Sequence, residues 1–274
     1  MGGGVSHAYD NSNPSPVAHA FVEARRAGRS LPAFPGTVPA TLAEAYAIQD
    51  QAITVWPDRV AGWKLGRIRA PLDAEYGAGR LAGPIFSRNV WLAGSTPTRF
   101  PVIDGGFAAV EAEYVLSLGQ DAPDRDDWTA ETVASLVDKA FTGVEIAGSP
   151  FAQINDHGPA VTAADFGNNA GLIIGNEITG WQERLTGLTC TVMIDGHGVG
   201  TGGATDIPGG PLDSLAFLLN LLQTRGRRLE AGQLISTGAA TGVHDIRIGQ
   251  SADADFGPDG RIACQAVAAT GAAS

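Results

Sequence analysis

The chain has 274 residues, 44% of them hydrophobic and 17% charged, and a net charge of −11. That supplies enough apolar material for a sizeable core and excludes a disordered chain. So negative a surface argues against nucleic acid and anionic membranes as partners, and no apolar run is long enough to span a bilayer.

Residues 1–15 read as a flexible leader. They lack the cationic stretch and apolar run of a secretory signal. Cys190 and Cys264 have no metal-type spacing, so the expectation is a cytoplasmic protein with two reduced thiols. A helix is predicted from Val17 to Gly28, followed by an extended, Pro-rich stretch from Leu31 to Pro39. Thr41 then offers an N-cap with Glu44 three residues on, a capping box. Ala45, Ile48, Ala52 and Val55 continue at helical spacing until Pro57 stops the helix. Residues 16–61 thus form an N-terminal helical part.

From residue 62 to 274 short β-type runs alternate with Gly and Pro. In Val110–Leu118 the residues Val110, Ala112, Tyr114 and Leu116 face one way, and Glu111, Glu113 and Val115 the other. Thr129 to Phe141 reads as a helix with Val133, Leu136, Val137 and Ala140 on one stripe. Short strands are predicted at 144–147, 170–175, 190–195 and 233–237. Pro211–Arg225 is the clearest helix, with Leu215, Leu218, Leu219 and Leu222 on one face and Gly226 at its end. Strands with a few interspersed helices, without regular βαβ alternation, indicate an α+β fold.

Four segments could carry chemistry. Glu111 and Glu113 sit at i and i+2 in an apolar strand, where they share a face and can converge on one cation. Glu145, in Val144-Glu145-Ile146, adds a third carboxylate. Buried carboxylates are costly unless paired or metal-bound, and three oxygen donors without Cys or His select Mg2+ or Mn2+ over Zn2+. A solvated strand face is the competing reading. Lys64, in Gly62-Trp63-Lys64-Leu65-Gly66, is framed by glycines and apolar bulk; it is a proton carrier or fixed charge, or else a lysine at a strand edge. Thr162 to Gly171, with Asp165 and Asn168, is a substrate loop or an ordinary turn. Ser236-Thr237-Gly238, at a strand end, offers amides and hydroxyls to a carboxylate, or is a plain turn. Gly198, Gly200 and Gly203 match G-x-G-x-x-G, but no helix opens at the third glycine, so a dinucleotide site is rejected. Among five histidines only His157 stands in a loop between candidate segments.

Taken together, these segments are similar to the 2-keto-4-pentenoate hydratase / 4-oxalocrotonate decarboxylase family of the fumarylacetoacetate hydrolase superfamily. The resemblance runs from about Thr41 to the C-terminus. It is carried by Ala45-Tyr-Ala-Ile-Gln49, Gly62-Trp-Lys64-Leu-Gly66, Val110-Glu111-Ala-Glu113, Val144-Glu145-Ile-Ala-Gly-Ser149, Ala163-Ala-Asp165, Gly210-Pro-Leu and Leu229-Glu-Ala-Gly232 with Ser236-Thr-Gly238. It implies the superfamily's strand-rich mixed β-roll, of the fumarylacetoacetate hydrolase C-terminal-domain type, behind an N-terminal helical part. It also implies Glu111, Glu113 and Glu145 as ligands of Mg2+ or Mn2+, and Lys64 and Asp165 as catalytic residues. Gln49, Asn168, Thr237, Gly238 and His157 would bind substrate. The substrate would be a small 2-oxo or 2-hydroxy-dienoic acid from aromatic catabolism, and the assembly a homo-oligomer. Hydration of a 2-hydroxypenta-2,4-dienoate-like acid is the first expectation. Decarboxylation of 4-oxalocrotonate or another 2-oxo acid, C–C bond hydrolysis, and a non-catalytic binding protein are the alternatives. The family's Asp after the lysine motif is missing: Arg80-Leu81-Ala82-Gly83-Pro84 stands there. Ser149-Pro150 and Asp165-Phe166-Gly167-Asn168 also depart from the family pattern, so the segments around the glutamates vary while the glutamates do not.

Overall fold

A computed structural model describes residues 15–271; apart from Ser15, the expected leader lies outside them. In chain order the elements are α1 (Pro16–Arg26), α2 (Leu42–Val55), β1 (Val60–Arg67), α3 (Leu72–Tyr76), β2 (Arg80–Phe86), β3 (Val90–Leu92), β4 (Thr98–Val102) and β5 (Phe107–Leu118). There follow α4 (Ala130–Val133), β6 (Val137–Ser149), α5 (Pro159–Ala164), β7 (Asn169–Glu177), α6 (Trp181–Arg184), β8 (Thr189–Ile194) and β9 (His197–Gly203). The last are α7 (Gly210–Thr224), β10 (Leu234–Ser236), β11 (His244–Asp245), β12 (Ser251–Asp255) and β13 (Arg261–Ala268). Among the described residues, no helix is long and apolar enough to cross a membrane.

The strands form two sheets, giving the strand-rich α+β fold expected. One sheet runs β2-β1-β10-β5-β6-β7-β3, with β11 also on β5; the other runs β4-β13-β12-β8-β9. The alternation read from β5 decides how they stack. Val110, Ala112, Tyr114 and Leu116 join the main core with Cys190, Val192, Ala252, Ile262 and Cys264 of the second sheet. On the opposite face of β5, Val115 packs with Ile85, Leu172 and Ile174. Both faces are therefore covered, and Glu111 and Glu113, which share a face with Val115, are buried.

The helices at the start follow the capping signals. Ser15 caps α1, and the Thr41 hydroxyl accepts the Glu44 N–H at 3.2 Å. The Glu44 carboxylate returns to the N–H of Ala40, one residue earlier than a strict capping box would have it. Both helices bury their apolar faces against β2 and its neighbours: Ala18, Val22 and Ala52 pack with Phe86 and Phe166. α7 matches the predicted helix within a residue, and Leu215, Leu218, Leu219 and Leu222 are all buried.

One element differs in kind. The helix predicted over Thr129–Phe141 is a single turn, Ala130–Val133, with a short 3-10 turn to Leu136. From Val137 onward the chain is strand β6, laddered antiparallel to β5 from Leu118↔Val137 to Phe107↔Ser149. Thr129 does cap the turn, with its hydroxyl and that of Thr132 exchanging bonds with each other's backbone N–H. The helical stripe Val133, Leu136, Val137 and Ala140 is a coincidence of spacing. Pairing with a long, buried neighbour strand overrode local periodicity.

Candidate metal centre

Antiparallel pairing of β5 and β6 sets Glu111 directly opposite Glu145, and Glu113 opposite Gly143. Opposed residues project on the same face, so the register alone brings the third carboxylate to the first two. One oxygen from each of the three lies within 4.8 Å of the others, and all three side chains are buried.

Each carboxylate is oriented by its surroundings. Glu113 Oε2 accepts the Ser236 hydroxyl at 2.5 Å and the Gly238 N–H at 2.9 Å. Glu145 Oε1 accepts Asn169 Nδ2 at 3.0 Å and lies 3.2 Å from Lys64 Nζ. The second oxygens, Glu113 Oε1 and Glu145 Oε2, are buried without a hydrogen-bond partner among the described residues. An orphaned buried carboxylate oxygen costs several kcal/mol unless something positive meets it. Two such oxygens beside a third carboxylate, with only oxygen donors, fit a hard divalent cation such as Mg2+ or Mn2+.

The electrostatics agree. Burial, then the nearby Glu145 charge, pushes the Glu111 carboxyl up to about 8 against the pull of Lys64. Burial and the charges of Glu145 and Glu111 raise Glu113 well above the carboxylate range, against its Ser236 bond and Lys64. Burial by itself would lower Lys64; Glu145, Glu111 and Glu113 reverse this and hold its ammonium above the ordinary value. Three carboxylates and one ammonium leave −2, the charge one divalent cation balances.

Lys64 reaches the cluster because β1 runs parallel to β10, pairing Lys64 with Ser236 and, on its other side, with Gly83 of β2. Its Nζ also donates to Asn168 Oδ1 at 3.2 Å. Asn168 is delivered by a left-handed run: φ is 55° at Phe166, 63° at Gly167 and 55° at Asn168. Two of these are not glycine, so the turn is strained and held by its packing. A Cβ at Gly83 would collide with the Phe166 carbonyl, so the segment in which the family's Asp is missing has to be this slim.

A cavity of about 680 Å3 opens over the cluster, lined by Lys64, Glu111, Asn168 and Gly238 at its base. It opens where β5 loses its partner. β10 covers residues 115–117 of β5 and β11 covers 109–110, while the loop between them spans the two glutamates. Arg67, Arg69 and Arg80 also line the cavity, a basic wall on an acidic protein. Arg80 is tied to Asp213 at 3.1 Å and donates to the Pro208 carbonyl; Arg67 and Arg69 are exposed.

Several expected site residues do not reach this cavity. Asp165, expected to be catalytic, has both oxygens engaged: Arg25 Nε and Nη2 bind Oδ1 and Oδ2 at 2.6 and 2.9 Å, and Ser149 Oγ donates to Oδ2 at 2.6 Å. It anchors α1 to the turn before β7. Asp165→Ala leaves the Arg25 guanidinium, 9% exposed, without its partner. A loss of about 3–5 kcal/mol in stability is expected, read from the denaturant midpoint. Gln49 also turns inward. Its amide nitrogen donates to the carbonyls of Ala82 and Ala163 at 2.9 and 2.7 Å, and its oxygen accepts from Arg225. The Thr237 hydroxyl donates to the Tyr114 carbonyl at 2.6 Å. His157 is exposed and packs on Phe151, with ring centroids 5.2 Å apart, while its neighbours Asn155 and Gly158 line the cavity. Asn168 and Gly238 are the expected substrate residues that do line it. Ser236 and Gly238, expected to offer a hydroxyl and an amide to a carboxylate, offer them to that of Glu113. Unanticipated were Asn169, which orients Glu145, and the arginine wall. Arg67 and Arg69, two basic residues just past the lysine segment of an acidic chain, were the available signal.

No family model matches the chain. It is 27% identical over 251 residues to a 4-oxalocrotonate decarboxylase from a Pseudomonas species, covering 86% of this chain and 91% of that protein. In fold it is similar to the 4-oxalocrotonate decarboxylase of Pseudomonas putida G7 solved with magnesium and adipate: TM-score 0.76, 20% identity, 92% of this chain and 96% of that one. The fumarylpyruvate hydrolase of Pseudomonas aeruginosa, solved with Mn2+ and pyruvate, is more distant: TM-score 0.57, 17% identity, 78% and 91% coverage.

Proposed function

We propose that this chain, a relative of the 4-oxalocrotonate decarboxylases on the fumarylacetoacetate hydrolase superfamily's fold, is a divalent-metal-dependent lyase of small 2-oxo acids. The observation that carries this is the buried trio Glu111, Glu113 and Glu145, two of them with an orphaned oxygen, beside a charged Lys64 and under a cavity. A divalent cation held by the trio supplies a Lewis acid to the oxygens of a 2-oxo acid. The chain's own groups do the rest. Lys64 Nζ, which donates to Asn168 and lies 3.2 Å from Glu145, serves as a fixed donor to the substrate oxygen that gathers charge. Asn168 aims that ammonium. The covered faces of β5 and β6 exclude water from behind the glutamates, which strengthens every charge interaction in front of them.

Within this class, decarboxylation of a 2-oxo-enedioic acid such as 4-oxalocrotonate is favoured over hydration. The bond to the distal carboxyl breaks, its electron pair moves through the conjugated chain to the C2 oxygen, and CO2 leaves. The arginine wall supports this choice, because a dicarboxylate has a second charge for Arg67 and Arg69 to hold and a pentadienoate does not. The relative's name points the same way. The test is ultraviolet turnover with 4-oxalocrotonate and with 2-hydroxypenta-2,4-dienoate, each with Mg2+ and with EDTA. CO2 release from the first, abolished by EDTA, is expected; chelator-sensitive loss of the second alone establishes hydration instead, and no chelator-sensitive change in either sinks the lyase reading. Replacing Arg67 and Arg69 by Gln together is expected to raise KM for the dicarboxylate about tenfold or more, and to leave monocarboxylate binding within about twofold.

A further inference from the structure

Helical spacing sets Arg25 on the same stripe of α1 as Ala18 and Val22, the stripe that packs against Phe86 and Phe166. Its side chain is 9% exposed. A charge on a buried helix face is costly unless it is paired and hydrogen-bonded. Here every guanidinium nitrogen is engaged, and on more than one segment. Nε and Nη2 bind the Asp165 carboxylate, and Nη1 donates to the Asn169 carbonyl at 2.9 Å. Nη2 also donates to the carbonyls of Gly148 and Asp165 at 2.8 and 3.3 Å. The guanidinium carbon lies 5.3 Å from the centre of the Phe166 ring.

These contacts grip both ends of one short turn. Asp165 opens it, Asn169 closes it, and the left-handed residues Phe166, Gly167 and Asn168 lie between. Left-handed backbone at residues other than glycine persists only where the surroundings over-determine it, and a planar fork bonded to both ends does so. The same fork spans an irregularity in the sheet. Ile146 of β6 pairs with Gly171 of β7 but Ala147 pairs with Asn169, so Ala170 is an extra residue. The two carbonyls that Arg25 ties together, those of Gly148 and Asn169, belong to the two strands at this bulge. The turn then leads directly to the cluster: Asn169 Nδ2 donates to Glu145 Oε1, and Asn168 Oδ1 accepts from Lys64 Nζ.

We infer that Arg25 is a positioning residue of the metal centre: it clamps the turn 165–169 and the adjoining bulge, and so holds Asn169 against Glu145, while bonding to none of the three glutamates itself. The inference rests on the metal-dependent reading proposed above.

The test is a double-mutant cycle on the full chain, with Mg2+ as the probe and calorimetry as the readout. Arg25→Lys keeps a charge beside Asp165 but has one nitrogen, which cannot span the carbonyls of Gly148, Asp165 and Asn169. It is expected to weaken Mg2+ about tenfold, as loss of a group that orients a ligand does. Asn169→Ala removes the oriented amide and is expected to weaken Mg2+ about as much. Made together, the two should stay within about threefold of the larger single loss, because both cut one path; independent effects would multiply to about a hundredfold. Cooperative unfolding in EDTA shows that each variant folds. Should Arg25→Lys not fold, Arg25→Met combined with Asp165→Asn takes its place in the cycle, because it removes the ion pair whole and leaves no buried charge alone. Parental Mg2+ affinity in the Arg25 variant, or losses that multiply, overturns the inference. A parent that binds no Mg2+ overturns the metal-dependent reading, and the inference with it.

Discussion

Glu113→Gln is expected to abolish Mg2+ binding and to lower turnover by about a thousandfold or more, while leaving the cation-free chain as stable as the parent or more stable. The first part follows from ligand count. Groups that merely orient a ligand are worth about 10- to 100-fold, and a ligand is worth more. The second part follows from charge. Glu113 is fully buried, with Glu145 and Glu111 as its neighbours, and its ionised form is disfavoured on both grounds. Gln keeps the shape, and its oxygen can still accept from Ser236 and Gly238. Isothermal titration with Mg2+ and denaturant unfolding in EDTA read the two halves separately.

The same reasoning fixes a pH dependence. Glu111 is raised in the folded chain to about 8, above its unfolded value of 4.5. Between those values the unfolded chain has released the proton and the folded chain still holds it. The unfolded state therefore binds fewer protons, and stability without cation falls as pH rises from about 4.5 through about 8. Glu113 extends the fall in the same direction. Because a cation competes with these protons, the stabilisation produced by Mg2+ should grow across the same window. Thermal melts at pH 5 and pH 8, with Mg2+ and with EDTA, check this. An Mg2+ shift that is larger at pH 5 contradicts it.

Lys64→Met should separate binding from catalysis. Turnover is expected to drop about a thousandfold, because the fixed donor at Nζ is gone. Mg2+ binding should persist or tighten, because a positive neighbour of the cation has been removed while all three carboxylates remain. Without cation the variant should be less stable. Glu145 is fully buried, and Lys64 is its only salt-bridge partner among the described residues. Leaving that carboxylate unpaired costs about 3–5 kcal/mol. The Mg2+-induced rise in melting temperature should then exceed the parent's. Loss of Mg2+ binding in Lys64→Met would mean that the lysine builds the cluster and is not simply its neighbour.

Much of the local structure was readable without coordinates. The capping signal at Thr41, the Leu face of α7 and the alternation in β5 are all short-range patterns, and short-range sterics and amphipathicity write them into sequence. The helix expected over residues 129–141 failed because its apolar spacing fits both a helix and a buried strand, and the choice belonged to β5. Gln49, Asp165 and Thr237 look like site residues in sequence because polar groups amid apolar ones look functional. Each instead meets a buried backbone or guanidinium group, a need that arises only when distant segments pack.

By itself, then, the sequence determined that Glu111 and Glu113 share a strand face, that this strand is apolar on both sides, and that Lys64 stands among slim and bulky neighbours. A two-residue period and local composition suffice for that. Only the tertiary structure decided that Glu145 stands opposite Glu111, that Lys64 arrives from β1 to balance them, and that the strand partner of β5 breaks over the glutamates to open a cavity. Register and burial are relations between segments tens of residues apart. They are set by how whole sheets cover one another, which no local spacing encodes.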